Sequence, residues 1–258
     1  MMLQRELTLF FTALMFYTRL PCPRWVGHSS GRLNAATRYF PLIGWIVGGV
    51  MAGAIFLAHF VLPLSVSVLI GLATSVLVTG AFHEDGWADV CDGFGGGWTQ
   101  EQILVIMKDS RLGTFGTMGL CFLIGTKFFA LYEMGQRSLP LLLTTTVASH
   151  AASRGMAAIL IRTHRYVRDD DDSKAKPIAQ RLSLLTLLIS SGLAAVPLLL
   201  FSHSVLVLSV VPPLLLLTYL GRYFERWIGG YTGDCLGATQ QLCELTMTLS
   251  VLALWTFI

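Results

Sequence analysis

The feature that most constrains this chain is the recurrence of apolar runs long enough to cross a bilayer. A spanning helix needs about 20 predominantly apolar residues. Runs near that length fall at 39–61, 64–82, 117–135, 139–161, 183–201, 204–220 and 242–258. Backbone amides inside lipid have to be satisfied within their own segment, which favours helices over open sheets. The reading is an all-α, polytopic integral membrane protein with about seven transmembrane helices, organised as a single membrane-embedded domain over 1–258. A shorter run, Leu7 to Tyr17, reads as an interfacial or re-entrant helix. Composition agrees: 13% of the 258 residues are charged, against about 25% in soluble domains, and the mean hydropathy is +0.66.

The charges lie in a few segments, and their placement sets orientation. Lys and Arg near span ends mark the cytoplasmic side. Segments 19–38, 83–116, 162–182 and 221–241 hold four, two, six and two of them, 14 in all, whereas the alternate turns hold only Arg137. The long segments are therefore expected on the cytoplasmic side. No basic patch with interleaved aromatics appears, which speaks against nucleic-acid binding. The five cysteines are odd in number and form no CxxC pair, so they are read as reduced. The first residues keep Glu6 and offer no small-residue cleavage site, so no cleaved signal peptide is expected. The acidic run 169–172, flanked by Arg and Lys, reads as a solvated loop.

Against this background the stretch HEDGWADVCDG (83–93) stands out, with four carboxylates directly after an apolar run. On a helix, Asp85, Asp89 and Asp92 have i, i+4, i+7 spacing and lie within about 60° of one another. Glu84 falls off that stripe. Aligned carboxylates beside a low-dielectric slab repel strongly unless a cation neutralises them. Hard oxygen donors suit Mg²⁺, Mn²⁺ or Ca²⁺, whereas zinc would recruit His or Cys, and His83 and Cys91 lie off the stripe. The alternative is a solvated acidic helix end, ordinarily stabilising at an N-terminus.

Further along, Lys108, Asp109, Ser110, Arg111 and two glycines precede the third run. Carboxylates for a divalent metal together with cations for phosphate oxygens are what phosphoryl transfer requires. Within the runs, Lys127, Glu133, His150, Ser153 and Arg154 are costly unless they face a cavity or a partner. Lys127 reads as paired with a carboxylate or snorkelling. Arg154 reads as an anion-binding group or half of a structural ion pair. Asp234, between glycines beside the last run, either reaches the same site or is an ordinary turn aspartate. His28 and His59 have no neighbouring ligands and receive no role.

These pieces resemble cobalamin synthase, the adenosylcobinamide-GDP ribazoletransferase family. The matching stretches are TRLPCPR (18–24), FPLIGWIVG (40–48), GAFHEDGWADVCDGFGGG (80–97), IMKDSRLGTFG (106–116), SRG (153–155) and GGYTGDCLGATQQLCEL (229–245). The resemblance implies a membrane transferase of late cobalamin biosynthesis. Its substrates would be adenosylcobinamide-GDP and α-ribazole or its 5′-phosphate, with GMP released and Mg²⁺ required. Membrane lipid and other late cobalamin-pathway enzymes would be its partners. On this reading Asp85, Asp89, Asp92 and Asp109 are expected to hold Mg²⁺, with Asp109 alternatively orienting Arg111. Asp85, Asp89 or His83 is expected to act in catalysis, and Lys108, Ser110, Arg111, Arg154 and Asp234 to bind substrate. Two rival readings are a CDP-alcohol phosphotransferase and an ion-coupled transporter. The first is disfavoured because no Arg follows Asp85-Gly86 in the way its DGxxAR motif needs. The second is disfavoured because the carboxylates cluster at one face rather than at the midplane.

Overall fold

The apolar runs fold as helices wherever no proline, glycine or polar cluster interrupts them. The computed structural model describes residues 2–27, 30–168 and 182–258, so the acidic run 169–172 lies outside the described residues. The α-helices, in chain order, are α1 (Met2–Tyr17), α2 (Ser30–Ala36), α3 (Phe40–His59), α4 (Leu64–Thr79), α5 (Phe82–Gly96) and α6 (Gln100–Ile106). They continue with α7 (Thr114–Arg137), α8 (Leu139–Thr163), α9 (Leu184–Ala195), α10 (Val211–Ile228) and α11 (Gly233–Trp255). Short 3-10 turns join several of them. An isolated bridge between Tyr166 and Tyr231 is the extended pairing among the described residues.

The all-helical class expected from the sequence is observed, whereas the count of seven spans is not. Among the described residues, three helical stretches are long and apolar enough to cross a membrane: Gly31–His59, Thr114–Arg137 and Ser204–Ile228. Counting the bent pair α4 and α5 as one broken span makes four. The remaining runs fall short for identifiable reasons. Run 183–201 leaves α-geometry at Val196, where Pro197 cannot donate to the helical ladder. Runs 139–161 and 242–258 are helical, but their helices carry polar and charged side chains that lower their hydropathy. The run at 7–17 is part of a longer helix, α1.

Helix α8 lies at the centre, with Thr145, Thr146 and nearly every residue from Ala148 to Ile161 buried against α3 and α11. One apolar cluster links α1, α3, α8, α10 and α11 through Tyr17, Phe40, Leu160 and Phe224. A second, through Ile55, Val68, Met134 and Leu142, packs α3, α4, α7 and α8.

A sharp corner then places the acidic stretch. Helix α4 ends at Gly80 in the left-handed region (φ 70°), and Ala81 follows at φ 60°. A side chain at Gly80 would collide with the Arg19 guanidinium, so glycine meets both a steric and a conformational need there. The corner bends α5 by 90° from α4. With four carboxylates, α5 is excluded from the bilayer interior, and we read it as lying outside the spanning segments.

Candidate active site at the junction of α5 and α11

Helix α5 forms over 82–96 as the spacing requires, with Glu84 and Asp85 in its first turn, where acidic side chains suit the helix dipole. It crosses the start of α11 at a contact made possible by glycines. A Cβ on Gly86 would stand 2.9 Å from the Asp234 carbonyl oxygen, and one on Gly237 would stand 3.1 Å from the His83 carbonyl oxygen. The two backbones therefore approach closely enough to bring Asp85 and Asp89 beside Asp234. Asp85 is exposed, and Asp89 and Asp234 are partly buried.

Burial, together with the neighbouring charges of Asp234 and Asp85, pushes the Asp89 carboxyl up to about 7. Burial alone opposes a charged carboxylate, and the two nearby anions act in the same direction. Arg168 opposes them. Its Nη2 lies 3.0 Å from Asp234 Oδ2 and donates to the Met107 carbonyl at 3.1 Å. Arg168 is held there by extended backbone. The Val167 amide donates to the Tyr231 carbonyl at 3.0 Å, and the Tyr231 amide donates to the Arg165 carbonyl at 2.8 Å. The last residues before 169 are thus laid along the N-terminal approach to α11. Thr232 caps that helix, accepting from the Cys235 amide.

The other residues singled out from the sequence are placed differently. The Asp92 carboxylate accepts from the Gly113 amide at 2.7 Å and the Gly116 amide at 2.8 Å. Helix α7 begins after Gly113, which has no side chain with which to cap, so Asp92 supplies the missing acceptors from α5. Asp109 and Arg111 form an exposed bidentate pair, with Nη2 to Oδ2 at 2.6 Å. This pairing, through hydrogen bonds first, holds the Asp109 carboxyl below its usual range. Lys108 and Ser110 are exposed on the same turn. His83 is buried among Tyr17, Phe40 and Phe82, and neither of its ring nitrogens has a hydrogen-bond partner. Arg154 is buried within α8, donates from Nη1 to the His150 carbonyl at 2.9 Å and lies over the Phe40 ring.

Beneath the acidic junction runs a buried polar network in which Lys127 pairs with a carboxylate, one of its two sequence readings, through partners on α11 that the sequence did not single out. Glu244 pairs with Lys127 Nζ at 2.6 Å and accepts from Gln240 Nε2 at 2.6 Å. Lys127 also donates to Gln241 Oε1, and Gln241 Nε2 donates to Glu84 Oε1 at 2.9 Å. His150 Nδ1 lies 3.2 Å from Glu244 Oε2 and 3.1 Å from Arg154 Nη1. That nitrogen donates to the first or accepts from the second according to tautomer. Two cations, Lys127 and Arg154, thus lie with two carboxylates, Glu84 and Glu244, and the group as a whole is close to charge balance. Through Glu84 the network ties α5 to α7, α8 and α11.

Among the described residues no group of three or more His, Cys, Asp or Glu side chains stands ready to hold a metal ion. The donor chemistry at the junction nevertheless suits a hard divalent cation. Asp85, Asp89 and Asp234 bring hard oxygen donors together, and the charges of Asp234 and Asp85 add to burial in raising the Asp89 carboxyl, a repulsion that a cation would relieve. Asp92 and Asp109 have their oxygens committed to α7 and to Arg111.

Comparison with known proteins gives this geometry a family. Residues 9–253 match the family described as cobalamin-5-phosphate synthase. The chain belongs to that family. A relative from Shewanella frigidimarina, named adenosylcobinamide-GDP ribazoletransferase, is 47% identical over 252 residues, covering 96% of this chain and 95% of its own length. Relatives of the same name from Ralstonia pickettii and Leptospira interrogans are 46% and 40% identical, covering 94% and 99% of this chain and equal shares of their own lengths. No solved structure matches the chain. The identity sought from the sequence motifs is thus reached independently, over nearly the whole chain.

Proposed function

We propose that the protein is a membrane transferase that joins adenosylcobinamide-GDP to α-ribazole or its 5′-phosphate and releases GMP. The observation that carries this reading is the full-length kinship to relatives named for that activity. The chemistry is attack by a ribazole hydroxyl oxygen on the phosphorus bearing the cobinamide. One P–O bond forms to that oxygen and the anhydride P–O bond to GMP breaks. The hydroxyl proton passes to a base, and GMP leaves with the electron pair.

At the junction, Asp89, whose carboxyl sits at about 7 without a cation, would hold Mg²⁺ or accept the hydroxyl proton, and a bound cation would lower that value. The enclosed His83 is the weaker candidate. Asp85, Asp89 and Asp234 would hold Mg²⁺, which when bound neutralises phosphate charge and eases departure of the nucleotide. Arg168 holds Asp234 in place. The exposed Lys108, Ser110 and Arg111 lie on the turn before α7, where a nucleotide phosphate is accessible to them. The cytoplasmic excess of Lys and Arg supports a site on that face of a bacterial inner membrane.

The test is GMP release by the purified protein with both substrates, with Mg²⁺ titrated. Asp85→Asn and Asp89→Asn should each lower turnover by about 10²-fold or more, and should raise the Mg²⁺ concentration needed for half-maximal rate. Near-normal turnover and unchanged Mg²⁺ dependence in both variants would sink the assignment.

A further inference from the structure

A groove of about 520 Å³ opens between α1 and the start of α2, at the opposite end of α1 from the acidic junction. Its lining includes Gln4, Arg5 and Thr8 on one wall and Trp25, Gly31 and Arg32 on the other. Arg5 lies 12 residues before Tyr17, the α1 residue that packs beside His83, which separates the groove from that packing by about 18 Å of helix. The groove is therefore distinct from the candidate active site.

Three features define what it would bind. First, its charge is positive. Among the described residues, two guanidiniums line it and no carboxylate does. The neighbouring Glu6 is engaged outward, accepting from Arg38 Nη1 at 3.3 Å and from the Tyr39 hydroxyl at 2.8 Å. Second, its depth is that of a membrane surface. Gly31 and Arg32 open the helical stretch Gly31–His59, which is apolar enough to span. Third, its rim is built for an interface between lipid and water. Trp25 is 57% exposed, with its ring edge-on to Phe11 at 5.7 Å. Amphipathic indoles settle at headgroup level.

We propose that this groove binds the headgroup of an anionic phospholipid, with Arg5 and Arg32 on its phosphate. Arginine suits the role because its planar fork bonds phosphate oxygens in pairs. The exposed Trp25 indole at the rim suits the headgroup level of a bilayer, a feature that a soluble phosphate ester would leave unused.

Native mass spectrometry of the full chain, with phosphatidylglycerol or phosphatidylcholine of identical acyl chains, tests this. The wild-type chain should retain phosphatidylglycerol about tenfold more strongly than phosphatidylcholine. The preference should vanish in the double variant Arg5→Gln/Arg32→Gln and largely return in Arg5→Lys/Arg32→Lys. Arg32 also donates to the Val26 carbonyl at 3.1 Å, so Arg5→Gln alone, which leaves that bond intact, is the second variant and should lose part of the preference. An unchanged preference in both Gln variants overturns the proposal. So does displacement of the lipid by an equal concentration of glycerophosphoglycerol, which would assign the groove to soluble phosphate esters.

Discussion

The Arg168 guanidinium stands 3.0 Å from the Asp234 carboxylate, and Asp234 in turn is the largest charge raising the pKa of Asp89. These two residues control the electrostatics of the junction. Arg168 offsets one anion of a crowded set, so its removal should act on chemistry more than on folding. Arg168→Ala should lower kcat/KM by about tenfold to a hundredfold, with a stability loss of about 1 kcal/mol or less, because the pair retains some solvent contact. Arg168→Lys should recover part of the activity. Kinetics together with thermal unfolding in detergent separate the two effects, and equal losses in both would contradict the argument.

The pH dependence follows from Asp89. Its carboxyl sits at about 7 rather than at the ordinary 3.8. Asp89 must be ionised to hold Mg²⁺ or to accept a proton, so at subsaturating Mg²⁺ kcat/KM should climb about tenfold per pH unit below 7 and level off above it. Stability runs the other way. The folded state binds more protons than the unfolded one between pH 3.8 and about 7, so stability without added cation should fall as pH rises through that window and stay constant above it. Removing Arg168 takes away a cation that lowers this pKa, so the inflection in Arg168→Ala should move to higher pH. A flat profile between pH 5.5 and 7 would exclude Asp89 as the base.

The helical class, and the placing of the acidic residues on one helix, were legible because they rest on local rules. Helical spacing alone placed Asp85, Asp89 and Asp92 on one stripe of one helix. What the spacing could not reveal was what each end of the stripe faces. Asp85 and Asp89 look toward α11, whereas Asp92 meets the amides of Gly113 and Gly116. Arg168 was hidden as one of several basic residues flanking an acidic run, and only the pairing of 165–167 with Tyr231 singles it out. Glu244, Gln240 and Gln241 lay inside a recognised stretch without a role, since partners more than 80 residues away are set by helix packing. The count of seven spans is not confirmed for a related reason. Several helices that the apolar runs mark out bury polar groups against one another, which lowers their hydropathy.

Asp92 should behave as a structural cap. Asp92→Ala leaves two amides at the head of α7 without acceptors, which should cost about 1–3 kcal/mol. Asp92→Asn keeps one acceptor oxygen and should cost about half as much. The concentration of Mg²⁺ needed for half-maximal turnover should shift far less than in Asp89→Asn. A large shift in Mg²⁺ requirement with unchanged melting temperature would assign Asp92 to the metal instead.

The buried pair Lys127 and Glu244 offers the sharpest contrast between breaking a charge pair and replacing it. Both side chains are under 10% exposed, and they meet at 2.6 Å. Removing one partner strands the other charge in the bundle, so Lys127→Met or Glu244→Leu alone should destabilise by about 3–5 kcal/mol. The double variant Lys127→Met/Glu244→Leu removes both charges and should recover a large share of that loss. Recovery should be incomplete, because Gln240, Gln241 and His150 also bond to this pair and would lose partners. Glu84 depends on Gln241 for its contact with α11, so the double variant should still turn over slowly even when its melting temperature is restored. Thermal unfolding of the four proteins of this cycle, in detergent at one pH, gives the coupling energy directly. Additive losses would show that the two charges do not compensate each other.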